Sequence, residues 1–269
     1  MGELRLDSVT VRVGSGRRAV DAVRGVDLVV PPRTIVGLVG ESGSGKSTLA
    51  RAIVGLLPIA DGEITYAGSP IGRKFHPGKV RPLQMVFQDP YSSLDPRMQV
   101  GESIAETIPR SIAAGREARR QEVLRMLSMV GLEADKVGSL PGELSGGQRQ
   151  RVAIARALAG RPDVLIADEV TSALDVSVQG TVLNLIRDLQ REFGFSMVFI
   201  SHNLAVVRYV SDLVAVMYRG EIVEFGPTQQ LIDSPAHPYT AELLAAAPHR
   251  GAAAAQLDAY SGSGQPDDD

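Results

Sequence analysis

The chain has 269 residues, of which 44% are hydrophobic and 22% charged, with a formal net charge of −3. These values are typical of a globular protein with a buried core, and the length predicts either one domain with an insertion or two unequal lobes. The mild acidity argues against a protein that mainly binds nucleic acid, and the lack of cysteine excludes disulfides, iron–sulfur clusters and thiolate zinc sites. No apolar run is long enough to span a bilayer and no secretory signal is evident, so we expect a cytosolic protein.

Short β-branched runs alternate with helical patterns in the first part of the chain, which indicates an α/β fold with a largely parallel sheet. Thr34–Val39 is continuously apolar, as expected for a strand that is buried on both faces. The other predicted strands here are Leu4–Val13, Val26–Val30, Glu63–Tyr66 and Gln84–Phe87, and Leu49–Leu57 has helical spacing.

The pattern changes between about Asp89 and Ala159, where strand signals are absent and helical patterns rich in Glu, Arg and Ala dominate. We interpret this region, with predicted helices at Gln121–Val130 and Gly147–Leu158, as a helical lobe inserted into the α/β core. The core then resumes with strands at Val164–Ala167, Met197–Ser201, Leu213–Met217 and Glu221–Glu224 and a long helix at Val176–Phe193. Residues 249–269 are weakly hydrophobic, and we expect them to form a disordered tail.

A glycine-rich segment, GESGSGKST, directly follows the strand Thr34–Val39. It satisfies the pattern G-x-x-x-x-G-K-[ST], with a buried strand before it and a helix after it, as a phosphate-binding loop requires. The backbone N–H groups of such a loop and of the helix start bind phosphate oxygens, while Lys46 reaches the β- and γ-phosphates and the Ser47 hydroxyl binds Mg²⁺. The nucleotide-binding residues predicted here are Gly40, Glu41, Ser42, Gly43, Ser44, Gly45, Lys46, Ser47 and Thr48. The alternative is a Gly/Ser-rich turn with an incidental lysine.

Two adjacent carboxylates, Asp168 and Glu169, end the apolar run VLIA. Ligands bind at the carboxyl edge of parallel sheets, so these acids are placed for catalysis if the chain binds a nucleotide. Asp168 would then hold Mg²⁺, and Glu169 would act as the general base on the attacking water. The alternative is a pair of acids that face solvent at the start of a helix.

The sequence LSGGQ, with Ser145 as a plausible N-cap, opens the predicted helix Gly147–Leu158. Two consecutive glycines are unfavourable for capping alone and fit a second phosphate-binding helix start. At this point the chain resembles the nucleotide-binding subunit of ATP-binding cassette (ABC) transporters, whose distinguishing motif is LSGGQ. The resemblance implies that Ser145, Gly146, Gly147 and Gln148 contact the nucleotide.

Further residues match that family's motifs in the family's order. Gln88 in VFQDP matches its Q-loop, Ser172–Asp175 (SALD) its D-loop, and His202 in VFISHN its switch histidine. The resemblance implies that Glu169, His202 and Gln88 are catalytic, that Asp175 borders the nucleotide, and that Ser47, Gln88 and Asp168 hold the Mg²⁺ bound with ATP.

The resemblance covers about residues 4–248 and implies a P-loop NTPase (RecA-like) core with an N-terminal antiparallel β subdomain and an inserted α-helical subdomain. The expected ATP-binding domain is 1–248, with the core at about 1–88 and 160–235, the helical subdomain at about 89–159 and a C-terminal family segment at about 234–248.

Longer stretches resemble the peptide/nickel branch of ABC importers: QMVFQDPYSSLDPRMQVGESIAE, DEVTSALDVSVQ and SPAHPYTAELLAAAP at Ser234–Pro248. The branch implies two transmembrane permease subunits, a second cassette in a homo- or heterodimer, an extracytoplasmic solute-binding protein that acts indirectly, and no nucleic acid. It also implies a location on the cytoplasmic face of the membrane.

Three positions depart from the family pattern. Val13 stands where an aromatic residue usually stacks on adenine, Val170 stands where proline usually follows the catalytic glutamate, and the cysteine cluster of some close relatives is absent. The competing interpretations are an ABC-type ATPase of DNA repair, a translation-associated protein, which would carry two cassettes, and a regulatory cassette that binds ATP as a switch. The chain has neither the sustained heptads nor the zinc-binding cysteines of repair ATPases.

Overall fold

The computed structural model describes residues 2–16, 19–71, 82–89, 93–172 and 174–246. Its strands are β1 (Leu4–Val13), β2 (Val20–Val30), β3 (Ile35–Val39), β4 (Asp61–Tyr66), β5 (Ser69–Pro70), β6 (Leu83–Val86), β7 (Val164–Asp168), β8 (Ser196–Ile200), β9 (Leu213–Tyr218) and β10 (Glu221–Pro227). Its α-helices are α1 (Lys46–Ile53), α2 (Val100–Ala105), α3 (Arg116–Met129), α4 (Gly146–Ala159), α5 (Val176–Phe193), α6 (Leu204–Val210), α7 (Thr228–Asp233) and α8 (Pro238–Ala246). Two short 3₁₀ helices, Ala134–Gly138 and Pro141–Glu143, lie between α3 and α4.

The strands form two sheets. The first is antiparallel, in the order β2-β1-β4-β5, and the second has the order β10-β9-β3-β8-β7-β6. In the second sheet the strands from β9 to β6 are parallel and β10 pairs antiparallel with β9 at one edge. The order places the carboxyl ends of β6, β7, β8 and β3 side by side, which is where ligands bind in open α/β sheets.

The parallel sheet is buried on both faces, and alternate residues of β8 enter two different cores. Met197 and Phe199 pack with the helical lobe, whereas Val198 and Ile200 pack with α1 and the antiparallel sheet. Because side chains alternate along a strand, a strand between two cores has to be apolar throughout. This is the physical reason for the continuous apolar runs in the sequence.

The described residues from 93 to 159, between β6 and β7, contain helices and no strand, as expected of an inserted helical lobe. Its helices bury Ile104, Met126 and Leu158 in the core that they share with one face of the parallel sheet. Arg161, just before β7, joins the lobe to the core, because it pairs with Glu122 of α3 at 2.9 Å.

The boundaries differ from the expectation at several elements. Helix α1 begins at Lys46, three residues before the predicted start, because the phosphate loop leads directly into it. Strand β2 begins at Val20 and not at Val26; its first residues pair with β1 through irregular register. The subdomain boundaries remain predictions, and the tail 249–269 and the end of Ser234–Pro248 lie outside the described residues.

No helix within the described ranges is both long enough and apolar enough to cross a membrane.

Candidate nucleotide-binding site

The predicted functional residues converge on one edge of the parallel sheet. The phosphate loop follows β3, Asp168 ends β7, Gln88 follows β6 by two residues, and His202 follows β8 by two residues. Because these four strands are neighbours in the sheet, their carboxyl ends bring together residues that are far apart in the chain.

The phosphate loop bends tightly into α1. Gly45 has a φ of 109°, and a Cβ atom there would lie 2.4 Å from the carbonyl oxygen of Ala22, so no other residue fits this position without a shift. The first main-chain bond of α1 runs from the Leu49 N–H to the Gly45 carbonyl at 2.9 Å, and no side chain caps the helix. The N–H groups of residues 46–48 are therefore left to bind an external anion at the positive end of the helix.

Lys46 is held beside these N–H groups. Its side chain is only 5% exposed, and Nζ donates to the carbonyl oxygens of Gly40 and Glu41, both at 2.8 Å. Among the described residues Lys46 forms no ion pair, and burial lowers its pKa although the charges of Glu169, Asp168 and Glu41 oppose this. A buried cation without an ion pair at the start of a helix fits the binding of a polyphosphate.

Ser47 and Asp168, the residues predicted to hold Mg²⁺, lie in contact with each other. The Ser47 hydroxyl donates to Asp168 Oδ1 at 3.0 Å, and the Asp168 side chain is buried at the end of β7. Burial raises the pKa of Asp168, the Ser47 bond lowers it, and the neighbouring Glu169 charge raises it again. A hard divalent cation at this point would stabilise the ionised carboxylate, and carboxylate and hydroxyl oxygens are ligands that Mg²⁺ accepts together with phosphate oxygens.

The Glu169 carboxylate lies between two of the other predicted residues. Gln88 Nε2 donates to Oε2 at 2.9 Å, and His202 Nδ1 lies 3.3 Å from Oε1. Gln88 Nε2 also lies 3.5 Å from the Ser172 hydroxyl, a contact that the motifs do not predict. Gln88 and His202 are therefore both within hydrogen-bond reach of the Glu169 carboxylate.

The backbone at Glu169 is clamped in a conformation that side-chain-bearing residues seldom adopt. Its φ is 48°, its N–H donates to the Ile200 carbonyl at 3.0 Å, and its own carbonyl accepts from the Ser172 N–H at 3.0 Å and from the Ser172 hydroxyl at 2.9 Å. Left-handed backbone of this kind is concentrated at functional sites, where surrounding contacts hold it. Val170, at the usual proline position, is buried and leaves both acids in place.

The LSGGQ residues lie apart from this cluster. Ser145 caps α4 through a reciprocal pair, since its hydroxyl accepts from the Gln148 N–H at 3.3 Å and Gln148 Oε1 accepts from the Ser145 N–H at 2.9 Å. A Cβ atom at Gly147 would lie 2.7 Å from Val178 of α5, so this glycine permits close packing of the two helix starts. Asp175 is the N-cap residue of α5, and within the described residues no hydrogen bond joins Ser145–Gln148 or Asp175 to the phosphate loop.

Two contacts of the phosphate loop were not anticipated from the sequence. The Tyr239 hydroxyl accepts a hydrogen bond from the Glu41 N–H at 2.9 Å, and the Gly220 N–H donates to the Ser44 carbonyl at 2.9 Å. Neither residue lies in a nucleotide-binding motif; the only signal was the family resemblance of the segment Ser234–Pro248. Val13 ends β1 opposite Val20, whose side chain is 55% exposed.

Comparisons with known proteins decide the family. A family model described as "ABC transporter" matches residues 23–172, and one described as "Oligopeptide/dipeptide transporter, C-terminal region" matches residues 223–268. The chain belongs to the ABC transporter family. It is an ATP-binding cassette with the P-loop NTPase fold, and the family prediction made from the motifs is confirmed.

Among curated proteins, the cassette is similar to the glutathione import ATP-binding protein GsiA of Escherichia coli O157:H7, with 50% identity over 236 residues that cover 86% of this chain. The GsiA of Escherichia coli strain K12 is 49% identical over 236 residues. The chain spans 38% of the length of these relatives.

Solved cassettes share the fold. MJ0796, described as a bacterial ABC transporter cassette and solved as a dimer, superposes with a TM-score of 0.72 at 30% identity over 84% of this chain and 98% of its own. A second MJ0796 structure, bound to ADP and Pi, gives a TM-score of 0.71 at 29% identity over 84% and 98% of the two chains. CbiO1 from Clostridium perfringens, part of the CbiONQ transporter complex, gives 0.73 at 25% identity over 86% and 90%.

Proposed function

We propose that this cassette is the ATP-hydrolysing subunit of an ABC importer that takes up a peptide, nickel or a related small solute. The observation that carries the proposal is the cluster in which Glu169 lies between Gln88 and His202, beside the Ser47–Asp168 pair. The importer branch is supported by the match to the oligopeptide/dipeptide C-terminal region and by the similarity to a protein named for glutathione import.

In the proposed reaction the chain positions the triphosphate and the attacking water. Lys46 and the N–H groups at the start of α1 bind the phosphates, and together with the loop residues Gly40–Thr48 they stabilise the charge on the transferred group. Glu169 orients the water and accepts its proton, Gln88 holds the Glu169 carboxylate and borders the metal, and His202 contacts the γ-phosphate.

Mg²⁺ supplies charge neutralisation at the phosphate oxygens when it is bound. Ser47 and Asp168 would hold it, Asp168 directly or through water, and Gln88 is the third proposed ligand. The Ser47–Asp168 hydrogen bond holds these two oxygens 3.0 Å apart.

In this proposal the LSGGQ residues act on the nucleotide that is held by a second cassette. Ser145, Gly146, Gly147 and Gln148 lie at the start of α4, where the N–H groups of Gly146 and Gly147 form a second anion-binding helix start. Two cassettes in a head-to-tail dimer would each bind ATP between one phosphate loop and the partner's signature, with Asp175 near the contact. Hydrolysis then removes the phosphate that bridges the two chains and lets them separate.

The permease subunits need a docking place, and the described residues contain a cavity of about 140 Å³ between β6 and the helical lobe. It is lined by Gln84, Val86, Phe87, Thr107 and Arg156 among others, and it borders the segment around Asp89–Glu106, where we expect the groove that receives the permease. A cytoplasmic segment of a permease seated there would contact the core and the lobe together, and would transmit a rigid-body movement of the lobe to the membrane. In this proposal the cassette lies on the cytoplasmic face of the membrane, and the solute-binding protein acts from the other side.

Affinity purification of the tagged chain from its native membranes tests the proposal. We expect two hydrophobic permease subunits and a second cassette to co-purify, and the complex to hydrolyse ATP. A Lys46→Ala chain should retain the partners and lose the hydrolysis. ATPase activity that is stimulated by DNA, in a preparation without membrane subunits, would instead support an ABC-type ATPase outside transport.

A further inference from the structure

The C-terminal helix contacts the phosphate loop through one hydroxyl group. Tyr239, in the first turn of α8, is 6% exposed, and its oxygen accepts the Glu41 N–H at 2.9 Å. That N–H belongs to the same planar peptide unit as the Gly40 carbonyl, which accepts from Lys46 Nζ at 2.8 Å. The peptide is therefore held from one side by the lysine and from the other by the tyrosine. Rotation of the peptide would break both bonds together.

The Tyr239 ring packs against a second aromatic ring, at the end of a strand whose following turn contacts the loop. Tyr239 and Tyr218 have ring centroids 4.1 Å apart, and Tyr218 ends β9. The turn that follows β9 donates the Gly220 N–H to the Ser44 carbonyl at 2.9 Å. The ring pair thus rests on an element that binds the middle of the loop, while the hydroxyl binds its beginning.

The start of α8 is anchored independently of the loop. The two oxygens of Glu224, in β10, accept the N–H groups of Ala236 at 2.9 Å and His237 at 3.0 Å. His237 Nδ1 in turn accepts the Tyr239 N–H at 3.2 Å. Glu224, His237 and Tyr239 all lie within the region that matches the oligopeptide/dipeptide C-terminal family model. The position of the phenol is therefore set by the C-terminal region and not by the loop that it contacts.

We propose that Tyr239 is a positioning residue for the nucleotide site, through which the C-terminal region holds the Gly40–Glu41 peptide and so orients Lys46. The proposal rests on the proposed function only in that the loop binds ATP. The hydroxyl does not touch the reacting atoms, so its loss lowers nucleotide affinity and leaves the rate at saturating ATP nearly unchanged. The C-terminal region then stabilises the phosphate loop, in addition to matching the oligopeptide/dipeptide family model.

The test compares Tyr239→Phe with the matched variant Tyr218→Phe in the full chain. Both keep the stacked rings, but only the first removes a bond to the loop. Since a hydrogen bond of this kind is worth about a 2- to 10-fold change in an equilibrium constant, we expect the Kd for Mg-ATP and the KM to rise about 2- to 10-fold in Tyr239→Phe, with kcat within about 2-fold. In ¹H–¹⁵N spectra the Glu41 amide should shift strongly in Tyr239→Phe and weakly in Tyr218→Phe.

Failure of the Tyr239 positioning role and failure of the proposed ATP-hydrolysing function would give different results. If the unchanged chain and Tyr239→Phe bind Mg-ATP equally while Lys46→Ala binds it much more weakly, the positioning role is wrong and the nucleotide site stands. Equal losses of affinity in Tyr239→Phe and Tyr218→Phe would also overturn it, because they would indicate a general effect of the ring pair. A chain that binds no nucleotide, with or without Lys46, would overturn the proposed function and the positioning role together.

Discussion

Replacing Glu169 with glutamine removes the proposed base and almost nothing else. The amide keeps the length and shape of the carboxylate, and its oxygen still accepts the 2.9 Å bond from Gln88. The backbone clamp at this position, formed by the Ile200 carbonyl and by Ser172, does not depend on the side chain. What is lost is the group that accepts a proton from water, together with one negative charge beside Asp168.

The size of the effect follows from these two losses. A positioned general base contributes about 10²–10⁴-fold to a rate, which corresponds to about 3–5 kcal/mol in the activation free energy. We therefore expect kcat for ATP hydrolysis to fall about 10²–10⁴-fold in Glu169→Gln. Removal of a negative charge near the phosphates does not oppose ATP binding, so the Kd for Mg-ATP should be unchanged or lower.

The assay is single-turnover and steady-state hydrolysis by the assembled complex, with ATP binding measured separately on the same preparations. Asp163→Asn is the matched control, because it removes one carboxylate charge at the other end of β7, about 20 Å from Glu169 at the rise of a strand. The control should hydrolyse ATP within about 2-fold of the unchanged complex, because Asp163, although half-buried, lies at the opposite end of β7 from the reacting atoms.

Turnover in Glu169→Gln within about 5-fold of the unchanged complex would refute the assignment of Glu169 as the base, since a base contributes more than that. A comparable fall in Asp163→Asn would refute the reasoning differently, because the loss would then reflect charge or stability and not position.

Three further predictions concern the cassette interface, the adenine site and the C-terminal region. Ser145→Arg should leave ATP binding to the isolated chain within about 2-fold but abolish ATP-dependent dimerisation in light scattering, because the added charge and volume fall on the proposed partner face; loss of ATP cross-linking to the isolated chain would contradict the role in the partner's site. Val13→Tyr should tighten ATP binding about 5-fold or more, given that stacking on a base is worth about 1–3 kcal/mol; an unchanged Kd in calorimetry would mean that another residue already supports the base. Burial raises the pKa of Glu224, but the N–H groups of Ala236 and His237 that donate to it lower the pKa, and the net pKa is lowered. The stabilisation from Glu224 is therefore present above the unfolded value of about 4.3 and is lost as pH falls through the lower folded value. The Tm of Glu224→Gln should therefore lie below that of the unchanged chain at pH 7 and approach it below about pH 4; a gap that is constant with pH would contradict this.

The fold was predictable where one physical signal was strong. Strands such as β8, buried between two cores, have long apolar runs, and α5 spans the predicted Val176–Phe193. In the structure α5 ends at Gly194 in left-handed conformation. The predicted start of β2, at Val26, is too late because the first residues of the strand are largely exposed and pair with β1 across bulges. Helix α6, with seven residues, is too short for a helical period to stand out.

The site was predictable as a set of motifs but not as a geometry. Lys46 and Ser47 are contiguous in the sequence, so their pattern alone indicates a phosphate loop. The meeting of Gln88, Glu169 and His202 depends on the sheet order β6-β7-β8-β3, which is not the order of the chain. The Tyr239–Glu41 bond joins residues 198 positions apart and has no local pattern at all.

The position of the LSGGQ residues indicates how the nucleotide-binding site is completed. Within the described residues, the start of α4 makes no hydrogen bond to the phosphate loop, and Gly147 packs closely against Val178 at the start of α5. The N–H groups of Gly146 and Gly147 at the helix start lack intrahelical acceptors, so they can serve an anion that comes from outside the chain. In the proposed dimer a second cassette would bring such an anion on its own phosphate loop. A site made from two chains would then give both helix starts, α1 and α4, the same kind of ligand.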